Sequence, residues 1–317
     1  MQEISNNLFD PVVKRVEEQG KMTRPSITFW KDAWRRLKKN KFAMFGLCCL
    51  MVITFMALIG PLLQSYGYEV QDLQARNLGP SGLHLFGTDE FGRDLWVRVW
   101  WGTRISLFIG IMAAIMDLFI GVLYGGISAY YGGRIDNVMQ RFIEIVYSIP
   151  YLLITILLIV LMGSGVWTIV LAYGITGWIS MARLVRGQIL SLKEQEYVLA
   201  ATSLGASTWR VILRHLIPNT LSFIIIQITF TIPQAIFTEA FLSFLGLGVK
   251  VPLASLGMLL SDGVGSMRLF PWRLVFPALV FSLMMLSFNL LGDGLRDALD
   301  PKLRQLRRCS CEKYSGS

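Results

Sequence analysis

Histidine, cysteine and charged residues are all scarce in this chain of 317 residues. It has 2 histidines, 4 cysteines and 16% charged residues. The patterns H-E-x-x-H, G-x-S-x-G and G-x-x-x-x-G-K-[ST] are absent, which argues against a zinc protease, a serine hydrolase and a phosphate-binding loop. The one Gly-Lys pair, Gly20 and Lys21, lacks both the upstream glycine and the following Ser or Thr. We therefore expect neither enzyme activity nor a nucleotide site in this chain.

Hydrophobic residues make up 54% of the chain, and they form runs long enough to cross a bilayer. A spanning helix needs about 20 predominantly apolar residues. The runs extend over 43–63, 105–133, 145–182, 220–238 and 274–292. Each should be helical, because backbone in lipid must satisfy its own hydrogen bonds and the runs lack the alternation of barrel strands. The run 145–182 has room for two helices with a turn at 163–165, so the sequence predicts an all-α membrane protein with six transmembrane helices.

Lysine and arginine near the ends of these runs predict the orientation of the chain. A dense basic cluster between Lys31 and Lys41 precedes the first run. Basic residues also follow the second run, the 145–182 run and the last run, whereas the segment 64–104 carries acids as well. By the positive-inside rule, both termini are expected in the cytoplasm. This bias accounts for the net charge of +9, so we predict membrane lipid as a partner and no nucleic acid.

The cysteines indicate neither a disulfide nor a metal site. Two lie inside the first hydrophobic run, and Cys309 and Cys311 lie in a basic tail that should face a reducing cytoplasm. Structural zinc typically takes four ligands, and the two histidines, His84 and His215, are expected on opposite sides of the membrane. We predict no metal and no other cofactor.

The chain divides into four segments by composition. We expect a polar cytoplasmic tail at 1–41, a first transmembrane helix with an extracellular loop at 42–103, a five-helix core at 104–293 and a cytoplasmic tail at 294–317. The first hydrophobic run lies too far from the start of the chain to be a cleaved signal peptide, so we expect it to remain as an anchor.

A semi-polar loop at 191–218 separates two of the hydrophobic runs. Ser191 and Glu194 have the spacing of a capping box, and Gly205 suits the left-handed residue that ends a helix. We therefore expect one helix between these points and a second helix capped by Ser207. By itself this pattern is equally consistent with an ordinary surface helix-turn-helix.

The layout of this loop resembles the EAA loop of binding-protein-dependent ABC transporter permeases, through which the membrane subunit contacts its ATPase. The matching positions are two small residues, a glycine four residues later and a closing proline. Leu199 stands where the family usually has Glu, and His215 stands where Ile is commonest. The resemblance implies coupling to an ATPase for six residues of the loop: Ala200, Ala201, Gly205, Ser207, Arg210 and Pro218.

Three further stretches resemble the C-type permeases of oligopeptide, dipeptide and nickel ABC importers. They are HLFGTDEFGRDLWVRVWWGTRISL at 84–107, FTEAFLSFLGLG at 237–248 and NLLGDGLRDALDPKLR at 289–304. In detail they are most similar to oligopeptide permease subunits. The resemblance implies a type I ABC importer permease fold in a bacterial cell membrane.

The same resemblance implies the partners and the function. In that family the C-type subunit pairs with a homologous B-type permease, two ATP-binding subunits dock beneath, and an extracellular or periplasmic binding protein delivers the peptide. The implied function is the permease subunit of an ATP-driven oligopeptide importer. A dipeptide or nickel importer is the alternative within this class. An ion-coupled secondary transporter, which would also have six or more spans and buried acids, is the alternative outside it.

Three acidic residues are candidates for the translocation path. A charge near the bilayer centre costs a few kcal/mol, so such a residue should face protein or water. Asp117 falls near the middle of the second run, Glu239 follows the 220–238 run, and Asp262 lies between the last two runs. Glu239 and Asp262 could meet a peptide's amino terminus at the mouth of the path. The structural alternatives are that Asp117 pairs with a polar group on a neighbouring helix and that Glu239 caps a helix end.

Overall fold

The computed structural model describes residues 28–250 and 252–299, which are almost entirely helical. The helices are α1 (Phe29–Lys39), α2 (Lys41–Ile59), α3 (Leu95–Met116), α4 (Val122–Tyr131), α5 (Gly133–Ser148), α6 (Tyr151–Met162), α7 (Val166–Thr176), α8 (Trp178–Lys193), α9 (Glu196–Ser203), α10 (Thr208–Val211), α11 (Ile217–Phe244), α12 (Leu256–Ser266) and α13 (Trp272–Leu299). Two π-helical turns, Asp117–Gly121 and Ile212–Leu216, join α3 to α4 and α10 to α11. The all-α prediction is confirmed for this part of the chain.

Long apolar helices of the described residues match the predicted membrane spans. Five continuous stretches are long and apolar enough to cross a membrane: Lys41–Leu63, Leu95–Tyr131, Val166–Lys193, Thr208–Phe244 and Trp272–Leu299. The pair α5 and α6 passes the same test together, with a bend of 75° between them. The bend follows from Pro150, which holds Ile149 in extended backbone between the two helices. Counting this pair as one span gives the six that the sequence predicts.

The second span begins earlier than its uncharged run. Asp94 caps α3, since its Oδ1 accepts a hydrogen bond of 3.0 Å from the Val97 amide. The first turns of α3 contain two arginines that a search for uncharged runs excludes. Arg98 is buried and forms an ion pair with Asp89. Arg104 donates to the carbonyls of Ala57 and Leu58 in α2, so both arginines have partners within the protein.

A helix lies inside the segment expected to be a polar tail. The apolar residues of α1 pack against the end of α13, where Leu37 joins Ala43 and Ala298 in a small core cluster. Asn40 ends α1 and caps α2 by accepting from the Phe42 and Ala43 amides. The rest of the two predicted tails, with Cys309 and Cys311, lies outside the described residues.

Small residues let the long helices approach one another closely, as is common between membrane helices. Gly46 of α2 lies against the backbone of α13, where an added Cβ would come within 2.7 Å of the Ser287 carbonyl oxygen. Gly125 of α4 lies against α8, where an added Cβ would come within 2.3 Å of the Ala182 carbonyl oxygen. These contacts pair α2 with α13 and α4 with α8, and the second pair positions the loop described next.

Candidate functional site

The helix of the 191–218 loop begins later than the sequence predicts. Ser191 lies within α8, which continues to Lys193, and α9 begins at Glu196 with Gln195 at its N-cap position. The capping box predicted from Ser191 and Glu194 is therefore wrong. The Lys193 ammonium donates to the Tyr130 carbonyl over 2.6 Å, so a tertiary contact holds the last turn of α8 in place.

Gly205 ends α9 in the predicted left-handed conformation, with φ of +80°. The Gly205 amide donates to the Thr202 carbonyl over 3.0 Å, and the Ala206 amide donates to the Ala201 carbonyl over 3.1 Å. This pair of bonds is a Schellman motif, which satisfies the last carbonyls of the helix. Nothing lies within 4 Å of the position that a Cβ on Gly205 would take. Backbone conformation, and not space, is therefore what requires glycine here.

Ser207 occupies the N-cap position of α10, as expected, but its side chain makes no capping hydrogen bond in the described structure. The second helix of the loop begins with only four α-helical residues and continues through the π-helical turn Ile212–Leu216 into α11. The predicted second helix is thus the first part of the long span that follows. The loop and that span are therefore joined without an intervening non-helical segment.

One face of the loop is anchored in the protein core. Val198 is the one residue of α9 that is fully buried, and it belongs to a cluster with buried residues of α4, α8 and α11. From the second half of the loop, the cluster includes Val211, Ile212 and Leu216. The loop is therefore packed against the ends of three membrane helices.

The opposite face of the loop is exposed and partly apolar. The six residues implied in coupling are all exposed, except that Ala201 is half-buried. The loop also exposes five large apolar side chains that sequence reasoning did not identify, which we call the apolar ridge: Tyr197, Leu199, Leu204, Trp209 and Leu213. Leu204 has 88% of its surface exposed. In the sequence, the signal for this surface was Leu204, an apolar residue directly before the helix-ending Gly205. Contiguous apolar surface marks contact sites for other proteins, so the apolar ridge is a candidate for such a contact.

A partly buried ion pair supports the helix that leads into the loop. Arg186 of α8 reaches Asp136 of α5 through two hydrogen bonds, Nε to Oδ1 of 2.7 Å and Nη2 to Oδ2 of 2.5 Å. Ser128 of α4 donates to the same carboxylate over 2.5 Å. Asp136 thus joins three helices close to the loop.

Asp117 is the first of the three candidate acids and is buried between α3 and α4. It begins the π-helical turn between α3 and α4 and is 1% exposed. Its Oδ2 accepts a hydrogen bond of 2.7 Å from Thr231 of α11, as the structural alternative predicts. Its Oδ1 has no hydrogen-bond partner among the described residues.

A polar cavity of about 400 Å³ opens beside this carboxylate. We call it the Asp117 cavity. Residues of α6, α7, α8 and α11 complete its lining: Tyr151, Tyr173, Thr176, Gly177, Ser180, Gln227, Phe230, Thr231, Gln234 and Thr238. Its size falls in the range of small-molecule binding sites.

Glu239 is enclosed by serine hydroxyls. Its Oε1 accepts from Ser243 over 2.9 Å and from Ser255 over 2.6 Å, and its Oε2 accepts from Ser106 over 3.3 Å. Ser255 in turn caps α12 through the Met258 amide. The fully buried carboxylate therefore links α3, α11 and the start of α12, a structural arrangement with a helix cap at its centre.

Asp262 lies on α12, at the surface of the chain. Loss of water around it raises the pKa of the Asp262 carboxyl, and the nearby positive charge of Arg98 opposes that rise. The structure thus separates the three acids: Asp117 borders a cavity, Glu239 is enclosed, and Asp262 is exposed.

No group of three or more metal-ligating side chains occurs within residues 28–250 and 252–299.

Comparisons with known proteins agree with this geometry. Residues 106–305 match a family described as binding-protein-dependent transport system inner membrane component, and residues 28–80 match the N-terminal TM domain of oligopeptide transport permease C. The dipeptide transport system permease protein DppC of Bacillus subtilis (strain 168) is 55% identical, over 91% of this chain and 90% of that protein. The oligopeptide transport system permease protein OppC of the same strain is 50% identical, over 96% of this chain and 100% of that protein.

Solved structures show the same fold at low sequence identity. An inward-facing structure of the MetNI methionine ABC transporter aligns with a TM-score of 0.52 and 16% identity, over 64% of this chain and 96% of that one. At this level of identity the likeness concerns the fold alone. It agrees with the helical architecture described above.

Proposed function

The chain belongs to the family of binding-protein-dependent transport system inner membrane components, and from that premise we propose that it is the permease subunit of an ATP-driven importer of oligopeptides. The observation that carries the proposal is its extensive identity with an oligopeptide transport permease over that protein's whole length. A dipeptide importer is the second candidate, favoured by the higher identity, 55%, with a dipeptide transport permease over 90% of that protein.

The loop surface supports the proposal that the ATPase is a separate subunit. The chain contains no phosphate-binding loop. The apolar ridge and the exposed small residues of α9 form a surface on which one ATP-binding subunit would dock. A second ATP-binding subunit would dock on the partner permease. A homologous B-type permease would complete the pore, and a binding protein would deliver the peptide from outside. An ion-coupled transporter needs no such docking surface.

The packing of the loop supports a mechanism of coupling. Closure of the ATP-binding subunits would push on α9, which is fixed to α4, α8 and α11 through the cluster around Val198. Because α10 continues into α11 without a loop, the push would reach the helix that borders the Asp117 cavity. The spans would then rock about this cavity and expose it alternately to the two sides.

The distribution of lysine and arginine supports an orientation with both termini in the cytoplasm of a bacterium. In this orientation the loop faces the compartment that holds ATP. On the opposite side of the membrane, α12 and the segment between α2 and α3 would face the binding protein.

Reconstitution tests the proposed function. The chain, its co-encoded permease and ATP-binding subunits are purified together in gentle detergent and placed in liposomes with the matching binding protein. We expect ATP-dependent accumulation of a labelled tripeptide or tetrapeptide, and no accumulation when ATP or the binding protein is omitted. Uptake of dipeptides alone would favour the second candidate, and failure of the chain to co-purify with any ATP-binding subunit would reject the proposal.

A further inference from the structure

The charge of the Asp117 cavity is one-sided. Asp117 is acidic, and none of the described residues that line the cavity is basic. We propose that this cavity binds the protonated amino terminus of the transported peptide, with Asp117 as the residue that contacts the ammonium group. This inference rests on the proposed function and names the part of the substrate that the permease recognises.

One oxygen of the Asp117 carboxylate is free to accept a further hydrogen bond within the described part of the chain. Thr231 satisfies Oδ2, whereas Oδ1 is buried and has no partner within the described part of the chain. A buried carboxylate oxygen without a donor is unfavourable. An ammonium group supplies both N–H donors and the opposite charge. A neutral or anionic ligand would leave the charge uncompensated.

One face of α11 extends the site beyond the carboxylate. Gln227, Gln234 and Thr238 are separated by seven and four residues, so they share a face of the helix. Gln234 is exposed in this chain although it lies within a membrane span. An exposed amide at that depth should face water or protein and not lipid. Glutamine carries both donors and acceptors, which suits the peptide groups that follow an amino terminus whatever the side chains are.

The helices around the cavity are irregular where they reach it. The π-helical turn begins at Asp117, the bend between α5 and α6 immediately precedes Tyr151, and α7 is separated from α8 at Gly177. Pro233 lies within α11, between the two glutamines. In membrane transporters, π-helical turns and discontinuous helices concentrate at substrate sites near the middle of the bilayer.

The other two acids do not offer the same arrangement. Both oxygens of Glu239 accept hydrogen bonds from serine hydroxyls, and the residue is fully buried. Asp262 is influenced by the positive charges of Arg98 and Arg273. Asp117, in contrast, combines a cavity with an unpaired oxygen. The amino terminus is therefore assigned to Asp117 and not to Glu239 or Asp262.

The test compares two forms of one peptide in the reconstituted transporter. Uptake of trialanine is measured with a free amino terminus and with an N-acetylated one, at concentrations that saturate the binding protein for both. The binding protein is the same in every assay, so a change in the ratio of the two rates reports on the permease. We expect Asp117→Asn to lower the ratio of free to acetylated uptake about tenfold and Asp117→Glu to retain most of it. Asp297→Asn, which removes an exposed carboxylate near the end of α13, should leave the ratio unchanged.

An equal loss of both rates in Asp117→Asn, with an unchanged ratio, would overturn the assignment and make Asp117 a structural residue. If that variant does not assemble, cysteine protection decides instead, with Thr238→Cys in a background where the four native cysteines are serine. Free trialanine should slow labelling by a cationic thiol reagent, and acetylated trialanine should not. Equal protection by both peptides, or by neither, would also overturn the assignment. Absence of any ATP-dependent uptake by the unmodified transporter is a different result, since it would reject the proposed function.

Discussion

Arg186 holds Asp136 with two roughly parallel hydrogen bonds of 2.7 and 2.5 Å, fifty residues away in sequence. The pair fastens α8, which leads into the 191–218 loop, to α5. The same carboxylate accepts from Ser128 of α4, so three helices meet at one side chain. The position of the loop therefore depends on a polar contact beneath it as well as on the apolar cluster around Val198.

Replacing Arg186 with Lys should weaken coupling while leaving the chain in the membrane. Lys keeps the charge but cannot form the two parallel bonds, so about 1–3 kcal/mol of local stabilisation is lost. We expect ATP hydrolysis in the assembled transporter to continue with peptide uptake reduced severalfold. The ratio of uptake to hydrolysis measures the effect. Arg141→Lys, at an exposed ion pair with Glu144, is the matched control and should behave as wild type.

Replacing Gly205 with Val should dissociate or uncouple the ATP-binding subunits. The φ of +80° is costly for a β-branched residue, and strain of about 1–3 kcal/mol shifts a docking equilibrium tenfold or more. Co-purification and uptake are measured at equal membrane abundance. Gly187→Val is the control, because that glycine in α8 also has open space around its Cβ position but has no positive φ. Full uptake by Gly205→Val would remove the loop from the coupling mechanism.

Replacing Leu204 with Ser should lower the affinity for the ATP-binding subunits without affecting the fold. The side chain is 88% exposed, so the isolated chain loses little, whereas burial of a leucine in an interface contributes about 1.5–3 kcal/mol. We expect at least a tenfold loss of affinity in a detergent binding assay. Leu269→Ser, at a leucine that is 77% exposed between α12 and α13, should bind normally. Unchanged affinity for Leu204→Ser would exclude the apolar ridge from the contact.

Replacing Glu239 with Gln should destabilise the chain more than it changes transport selectivity. The amide nitrogen would face serine hydroxyls that now donate to a carboxylate, at a cost of about 1–3 kcal/mol. We expect a lower thermal midpoint in detergent and a proportional loss of uptake for all peptides. A selective loss for peptides with a free amino terminus would contradict the structural role.

Thiol labelling tests the proposed orientation. A cysteine at Leu83, an exposed residue between α2 and α3, should react with an impermeant reagent in intact cells. Cys309 and Cys311 should react only after the membrane is opened, because the basic tail is expected in the cytoplasm. Labelling of these native cysteines in intact cells would reverse the proposed topology.

Several features could be predicted from the sequence because they depend on local chemistry. Long apolar runs require helices in lipid, so the spans could be located without tertiary information. The left-handed conformation of Gly205 was likewise predictable, since glycine ends helices at little steric cost. The family resemblance rested on short stretches from 84 to 304, and the comparisons confirm it.

Other features exist only where distant segments meet. Lys193 at the end of α8 contacts the distant Tyr130 carbonyl, and Glu239 accepts a hydrogen bond from a serine more than a hundred residues earlier in the chain. The Asp117 cavity requires residues from the π-helical turn and from α6, α7, α8 and α11 together. Hydrophobic periodicity and backbone propensity act over a few neighbouring residues, so they determine which helices form. Hydrogen-bond partners, exposure and cavities depend on how those helices pack, and the tertiary structure alone decided them.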